Sequence, residues 1–252
     1  MHEQQAAPAT DSSSGATATS TVDRTPILRG AGLSAGYGSL AAIRNVTVEV
    51  HRGEIVALLG ANGAGKTTTL LALVGECTVF EGDVTWHGTS IDGWPLHKRA
   101  RDGIGFVSEE RSVFMRLSVL DNLKLGRGPV DDALAIFPEL KPLLGRRAGL
   151  LSGGEQQMLT LGRAIAAGPE VLLVDELSLG LAPQVTARLF SALRQAVVDR
   201  GMGVLLVEQQ ARRALAAVDR AYVFRQGEIV LSGDGADLAD RHAEVEALYL
   251  TV

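Results

Sequence analysis

The stretch Glu54-Ile55-Val56-Ala57-Leu58-Leu59-Gly60-Ala61-Asn62-Gly63-Ala64-Gly65-Lys66-Thr67-Thr68 decides how this chain folds. Glu54–Leu59 is a short apolar run ending in a glycine-rich turn, and Lys66–Val74 then reads as a helix. Residues Gly60 to Thr67 fit the spacing G-x-x-x-x-G-K-S/T in the strand–turn–helix context that gives this pattern meaning. The physics is anion binding. Glycines let the backbone curl until successive N–H groups point inward, and the helix N-terminus adds the positive end of its dipole. Lys66 is placed to reach the β- and γ-phosphates of a nucleotide, and the Thr67 hydroxyl to ligate Mg²⁺. Thr68 follows in the same first turn and belongs to the cradle. Lys66 is one of only four lysines, against twenty arginines.

Outward from this unit, strands and helices alternate. Val46, Val48 and Val50 recur with period 2 and predict a strand. Asp83–Trp86 and Ile104–Val107 read as further strands. From about 109 to 150 there is no strong strand, only short helical pieces, one opening at Ser118 with Asp121 three residues on in a capping arrangement. Gly153–Ala167 then reads as a helix, Val171–Val174 as a strand and Pro183–Arg200 as a long helix. Val204–Val207 is a strand, Ala211–Val218 a helix, and Tyr222–Leu231 a hairpin turning near Gln226–Gly227. Strands alternating with helices predict a mostly parallel sheet, and the helical stretch looks like an inserted lobe. No internal repeat is visible.

Composition bounds the function. The 252 residues suit one large domain or two small lobes and can bury a real core. With 24 Lys+Arg against 29 Asp+Glu the net charge is −5, a poor basis for general nucleic-acid binding. The single Cys77 excludes an internal disulfide, and the five His show no metal-ligand spacing. Hydrophobic residues are 46 % but aromatics only 4 %, so the apolar mass is Val, Leu, Ile and Ala, the usage of strands buried on both faces. The longest apolar runs, Ile55–Leu59 and Leu70–Val74, fall far short of the roughly 18 residues of a membrane span. Fourteen of residues 1–25 are Ala, Ser or Thr without periodicity, which predicts a disordered tail and a fold starting near Ile27. That tail lacks the apolar core of a signal peptide, and its one arginine, Arg24, argues against a transit peptide.

Two further motifs carry chemistry. Val171-Leu172-Leu173-Val174 ends in Asp175 and Glu176, at the end of a strand where open α/β sheets place ligand chemistry. Asp175 suits Mg²⁺ through water, and Glu176 suits general-base work on an attacking water. Leu151-Ser152-Gly153-Gly154-Glu155-Gln156-Gln157 precedes a helix. Ser152 with Glu155 forms a capping box. That does not explain two consecutive glycines, which weaken a first turn and make sense if a phosphate approaches bare amides.

On these motifs the chain resembles the ATP-binding cassette (ABC) ATPases over nearly all of 27–250. Leu151–Gln156 is similar to the family signature, Gly60–Thr67 to its phosphate loop, and Val171–Glu176 to its metal-binding strand with catalytic Glu. The resemblance implies an α/β fold within 26–252: a RecA-like P-loop core with a mostly parallel sheet, an antiparallel β subdomain, and a helical subdomain inserted at about 109–165. It implies that Tyr37 stacks on adenine and that Ser178–Leu181 crosses to a partner subunit. It implies that Ser152, Gly153 and Gly154 close the ATP of that partner, because a signature on a separate lobe cannot reach its own phosphate loop. Two cassettes would meet head to tail, hydrolysing ATP with Mg²⁺ and passing movement to membrane permease subunits.

The departures narrow the group. The family usually has Gln at the position of Glu109, and a carboxylate facing a triphosphate is tolerable beside Mg²⁺ or a cation such as Arg111. Glu109 is therefore counted with both the nucleotide and the metal ligands. Where the family usually has His, this chain has Gln209, which can donate to a γ-phosphate but cannot titrate. Leu177 replaces a common Pro, and Ala182 a common Asp. Lys66, Glu176 and Gln209 are the expected catalytic residues. Val107–Arg116, Asp175–Pro183 and Leu205–Gln210 are similar to the smaller ATP-binding subunit of bacterial branched-chain amino acid importers and related amide and urea importers. That resemblance implies a paralogous ATPase or a second copy as partner, a substrate-binding protein acting indirectly, no nucleic acid, and a place on the cytoplasmic face of the cell membrane. A non-transport ABC-type ATPase would need a long coiled-coil insertion or two cassettes, and an unrelated GTPase would need an N-K-x-D motif. None of these is present in the sequence.

Overall fold

The computed structural model describes residues 25–110 and 112–250. The tail read from the sequence therefore lies outside the described residues except for Thr25, and Arg111 lies outside them too. The chain opens with β1 (Leu28–Tyr37), β2 (Leu40–Val50), β3 (Ile55–Leu59), α1 (Lys66–Val74), β4 (Thr78–Trp86), β5 (Thr89–Ser90), α2 (Leu96–Arg101) and β6 (Ile104–Val107). It is then helical through α3 (Val119–Lys124), α4 (Val130–Ile136), 3₁₀ turns at Pro138–Leu143 and Ala148–Leu150, and α5 (Gly153–Ala166). It returns as β7 (Val171–Val174), α6 (Pro183–Arg200), β8 (Gly203–Glu208), α7 (Ala211–Leu215), β9 (Arg220–Arg225), β10 (Glu228–Asp234), α8 (Gly235–Asp240) and α9 (His242–Leu250).

The fold is α/β with two sheets. The larger is six-stranded in the order β10-β9-β3-β8-β7-β6, parallel from β9 to β6 with β10 antiparallel at one edge. The smaller is antiparallel, in the order β2-β1-β4-β5. Successive side chains of a strand point to opposite faces, and β3 shows the consequence. Val56 and Leu58 enter the core shared with α1 and the antiparallel sheet. Ile55, Ala57 and Leu59 enter the opposite core, built from α3 to α9. Val204 and Leu206 of β8 divide from Leu205 and Val207 in the same way. β3, β7 and β8 are buried along their whole length, so only their ends reach solvent.

Arg220 fastens the two sheets together. Its guanidinium donates to both Glu54 oxygens at 3.0 and 2.9 Å, to the Glu49 carbonyl at 2.9 Å and to the Tyr222 hydroxyl at 3.1 Å. Burial alone would raise the Glu54 carboxyl, but the hydrogen bonds from Arg220 and His51 hold it below its ordinary value. Beside this pair, Asp219 accepts the Ile55 N–H at 2.7 Å and fixes the start of β3.

Two differences from the sequence reading have local causes. β1 escapes the alternation test because register shifts at Gly30/Leu33 and Leu33/Ala35 break its period, with Gly32 at φ 60°. The helix predicted over Ala211–Val218 stops at Leu215, and Ala217 N–H turns back to the Ala214 carbonyl. Removing Arg220 alone leaves Glu54, 8 % exposed, without its cation. Urea unfolding of Arg220→Leu should show a loss of about 2–4 kcal/mol, much of it recovered in the Arg220→Leu/Glu54→Leu pair.

Candidate functional site

The loop after β3 is shaped by three glycines with positive φ: Gly60 at 151°, Gly63 at 78° and Gly65 at 104°. A Cβ on Gly60 would lie 2.5 Å from the Phe224 carbonyl oxygen, and one on Gly65 would lie 2.6 Å from Ile43 Cγ2. A Cβ on Gly63 would meet nothing within 4 Å, so its side of the loop stays open for a ligand. Gly227, in the β9–β10 turn, donates its N–H to the Ala64 carbonyl at 3.0 Å and braces the loop from behind. The N-cap of α1 has no side-chain cap. The backbone N–H groups of Gly63, Gly65, Lys66, Thr67 and Thr68 accordingly donate to no other group among the described residues. Free amides at a helix start, next to a cation, are an anion cradle.

Lys66 is 4 % exposed and folds back over the loop, donating to the Gly60 and Ala61 carbonyls at 2.8 and 2.9 Å. Burial lowers its ammonium pKa, while the charges of Glu176, Asp175 and Glu208 pull it back up.

The acidic half of the site comes from three other strands. Asp175 and Glu176 follow β7, Gln209 follows β8, and Glu109 lies beyond β6. Because these strands run parallel, all four residues arrive beside the loop that follows β3. Thr67 Oγ1 donates to Asp175 Oδ1 at 3.1 Å. Gln209 Nε2 donates to Glu176 Oε1 at 2.8 Å. Glu176 holds a left-handed backbone at φ 51°, a strained conformation for a non-glycine residue. The Asp175 carboxyl is pushed up to about 6, first by burial and further by the charges of Glu176 and Glu109, with the Thr67 hydroxyl working the other way.

These groups surround a cavity of about 320 Å³ lined by Asn62, Gly63, Gly65, Lys66, Thr67, Thr68, Glu109, Glu176 and Gln209, with Ala42 and Leu179. Asp175 sits behind that lining, 2 % exposed, joined to it through Thr67. Among the described residues no three His, Cys, Asp or Glu cluster as a metal cage. A hydroxyl beside a buried carboxylate is instead the partial, hard-oxygen set that Mg²⁺ uses when phosphate and water complete its shell.

Not every predicted residue joins the cavity. Tyr37, at the end of β1, is 55 % exposed and does not line it. Ser152, Gly153 and Gly154 open α5 and do not line it either. The capping box is present: Ser152 Oγ accepts the Glu155 N–H at 3.3 Å, and Glu155 Oε2 accepts the Ser152 N–H at 2.7 Å. The second glycine has a packing reason within the chain, since a Cβ on Gly154 would lie 2.8 Å from Val185 Cγ1 of α6. Leu177, where a proline was the usual residue, is buried in the core at 1 % exposure.

Sequence reasoning missed Glu208. It ends β8 at 3 % exposure and accepts from Ser178 N–H and Oγ at 3.1 and 2.8 Å. The available signal was an acid closing the wholly apolar run Val204–Val207. Burial, with some help from the charge of Glu176, pushes its carboxyl up to about 7 against the pull of the Ser178 hydroxyl.

Comparison with known proteins gives concordant results. Residues 43–178 match the family model described as ABC transporter. The chain is 44 % identical over 215 residues to the high-affinity branched-chain amino acid transport ATP-binding protein BraG of Pseudomonas aeruginosa, covering 82 % of this chain and 92 % of that protein. It is 36 % identical over 230 residues to the lipopolysaccharide export system ATP-binding protein LptB of Escherichia coli, covering 86 % and 94 %. Among solved structures, a nucleotide-free ATP-binding cassette superposes with a TM-score of 0.80 at 23 % identity, covering 90 % of this chain and all of that one. A cassette solved as a dimer superposes at 0.73 with 23 % identity, covering 82 % and 98 %.

The two raised carboxyls make nucleotide-free stability depend on pH. Asp175 and Glu208 bind protons more tightly folded than unfolded. Their contribution is fully present below the unfolded-chain values near pH 4 and is lost as pH rises through about 6 and about 7 respectively. Urea unfolding without nucleotide or Mg²⁺ should therefore give a smaller free energy at about pH 7.5 than at about pH 5. Glu208→Gln should remove about 2–3 kcal/mol of that drop.

Proposed function

Because this chain belongs to the ABC transporter family and is an ATP-binding subunit of that kind, we propose that the cavity beside Lys66 is where it binds and hydrolyses ATP with Mg²⁺. ATP hydrolysis is characteristic of these cassettes, and the chain is an ATPase of this family. One observation carries the assignment of roles: the open N–H groups of the glycine loop, the Thr67–Asp175 pair and the Glu176–Gln209 pair face one cavity of about 320 Å³.

The residues divide the work by their chemistry. The loop amides and Lys66 hold the β- and γ-phosphates, for which Lys66 exchanges the Gly60 and Ala61 carbonyls. Thr67, Asp175 and Glu109 would hold Mg²⁺, Glu109 lining the same cavity as Thr67. When bound, the ion neutralises charge developing on the phosphate oxygens. Glu176 accepts the proton of the attacking water, and the Gln209 amide fixes which oxygen of Glu176 is free to do so. Tyr37, exposed at the end of β1, is the residue this reading assigns to the adenine ring.

Ser152, Gly153 and Gly154 belong, in this reading, to a second site. They open α5 on the helical segment, roughly residues 109–165, away from this chain's own cavity. A partner turned head to tail would bring its phosphates to them, and the dimeric cassette among the solved structures gives precedent for pairing. The partner is a paralogous ATPase or a second copy, and both would sit on the cytoplasmic face of a membrane through permease subunits. No helix of the described residues is long and apolar enough to cross a membrane. Import of branched-chain amino acids, or of related amides or urea, is favoured by the 44 % identity to BraG. The similarity to LptB marks lipopolysaccharide export as the competing cargo class. Reading the genes beside this one, for a binding protein and two permeases, discriminates them.

Lys66→Ala should weaken ATP binding, whereas Glu176→Gln should bind ATP and hydrolyse at least about 100-fold more slowly, the scale of removing a general base. In sedimentation with ATP and Mg²⁺, Glu176→Gln should pair weakly with itself or tightly with the paralogue. Wild-type hydrolysis by Glu176→Gln would refute the assignment of the base.

Gln209 cannot titrate, so hydrolysis at this site should vary less between roughly pH 6 and 8 than in Gln209→His, compared in the same assembled complex. Identical profiles would leave Gln209 a simple hydrogen-bond donor.

A further inference from the structure

Glu208 is a buried carboxylate with no cation. Among the described residues it makes no ion pair, and both of its oxygens accept from Ser178. The Ser178 N–H donates to Oε1 at 3.1 Å and the Ser178 hydroxyl to Oε2 at 2.8 Å. Ser178 stands two residues after Glu176, and Glu208 immediately precedes Gln209. A second bond joins the same two loops nearer the cavity, from Gln209 Nε2 to Glu176 Oε1 at 2.8 Å. The two side-chain links and the two short pieces of backbone close a ring.

That ring encloses a strained residue. Glu176 holds φ at 51°, which a non-glycine residue keeps only where its surroundings over-determine it. On the apolar side Leu177 is sunk in the core. On the polar side the two bonds to Ser178 are what tie the loop to β8. A buried acid is a poor choice for core stability, because its desolvation is not repaid by an opposite charge. The charges nearest in effect are Lys66, which feels Glu208, and Glu176, which pushes its carboxyl up. Two acceptors aimed at one residue serve geometry instead.

We propose that Glu208 is a positioning residue for hydrolysis: its two-oxygen grip on Ser178 holds the loop that begins at Glu176 against the end of β8, and so sets how Glu176 and Gln209 face the attacking water. The inference rests on Glu176 acting as the base. It predicts that the hydrogen bonds matter more than the charge. A glutamine at this position can accept the Ser178 N–H through its amide oxygen and donate an amide N–H to the Ser178 hydroxyl, which keeps both links. Alanine keeps neither.

The test is ATP hydrolysis by the full-length chain with its partner ATPase, with kcat and KM separated, beside equilibrium ATP binding. Glu208→Ala should lower kcat about tenfold or more with KM changed less than about twofold, since a misplacement of order 1 Å at a reacting group costs up to about 100-fold. Glu208→Gln should recover most of that loss, and Ser178→Ala should lose less than Glu208→Ala. The Ser178→Ala/Glu208→Ala double variant should fall no further than Glu208→Ala, because both changes cut one link. Wild-type kcat in Glu208→Ala, equal losses in Glu208→Ala and Glu208→Gln, or additive losses in the double variant would each overturn the proposal. Should Glu208→Ala not fold, a wild-type kcat in Ser178→Ala overturns it by itself. Glu176→Gln separates the two levels of the argument. If it is inactive while Glu208→Ala is normal, the positioning role alone fails. If Glu176→Gln hydrolyses normally, the reading of the base fails and this inference with it.

Discussion

Burial of the parallel strands on both faces is the constraint from which the rest follows. β3, β7 and β8 have no solvent-facing side, since every residue in them is buried. Polar chemistry can therefore appear only where a strand stops. Because β3, β8, β7 and β6 run the same way, their C-terminal ends lie in one row. The glycine loop, Gln209, the carboxylates Asp175 and Glu176, and Glu109 each follow one of those ends. The site is thus the seam where four apolar strands release their chains.

That seam is electrostatically one-sided. Among the described residues Lys66 is the one cation lining the cavity, against Glu109 and Glu176 on its walls and Asp175 and Glu208 behind them. Two of these acids are pushed up, to about 6 and about 7, by burial. A polyphosphate entering such a place meets these carboxylates, and in the proposed reading a divalent cation beside Thr67 and Asp175 offsets the repulsion. Within the chain these charged groups meet neutral partners: Lys66 donates to loop carbonyls, Thr67 to Asp175, and Gln209 to Glu176.

The start of α5 has uses within the chain. Ser152 spends its side chain on a capping box with Glu155, and Gly154 is small because Val185 lies against it. Under the proposed pairing the anion-facing use of this helix start falls to a partner, and these residues do not line the chain's own cavity. The loop after Glu176, by contrast, is fully committed within the chain, with Leu177 in the core and Ser178 on Glu208. In the proposed reading, a segment that crosses to a partner is thereby tied to the residue that handles the water.

The sequence by itself determined the elements whose signal is local. The phosphate loop is legible because its glycines are demanded by φ at 60, 63 and 65, and α1 and β7 have the bounds the sequence predicts. The turn at Gln226–Gly227 is legible for the same reason, with both residues at positive φ. β1 was not, because its bulges erase the alternation that marks a strand. The meeting of the motifs was beyond local reading. Thr67 and Asp175 are 108 residues apart and touch at 3.1 Å, and Ser178 reaches Glu208 across 30 residues. Tertiary structure alone decided that Glu208 is buried on a serine rather than exposed at a strand end. Sequence shows only that an acid follows four apolar residues, whereas its surroundings depend on which loop the neighbouring strand releases beside it.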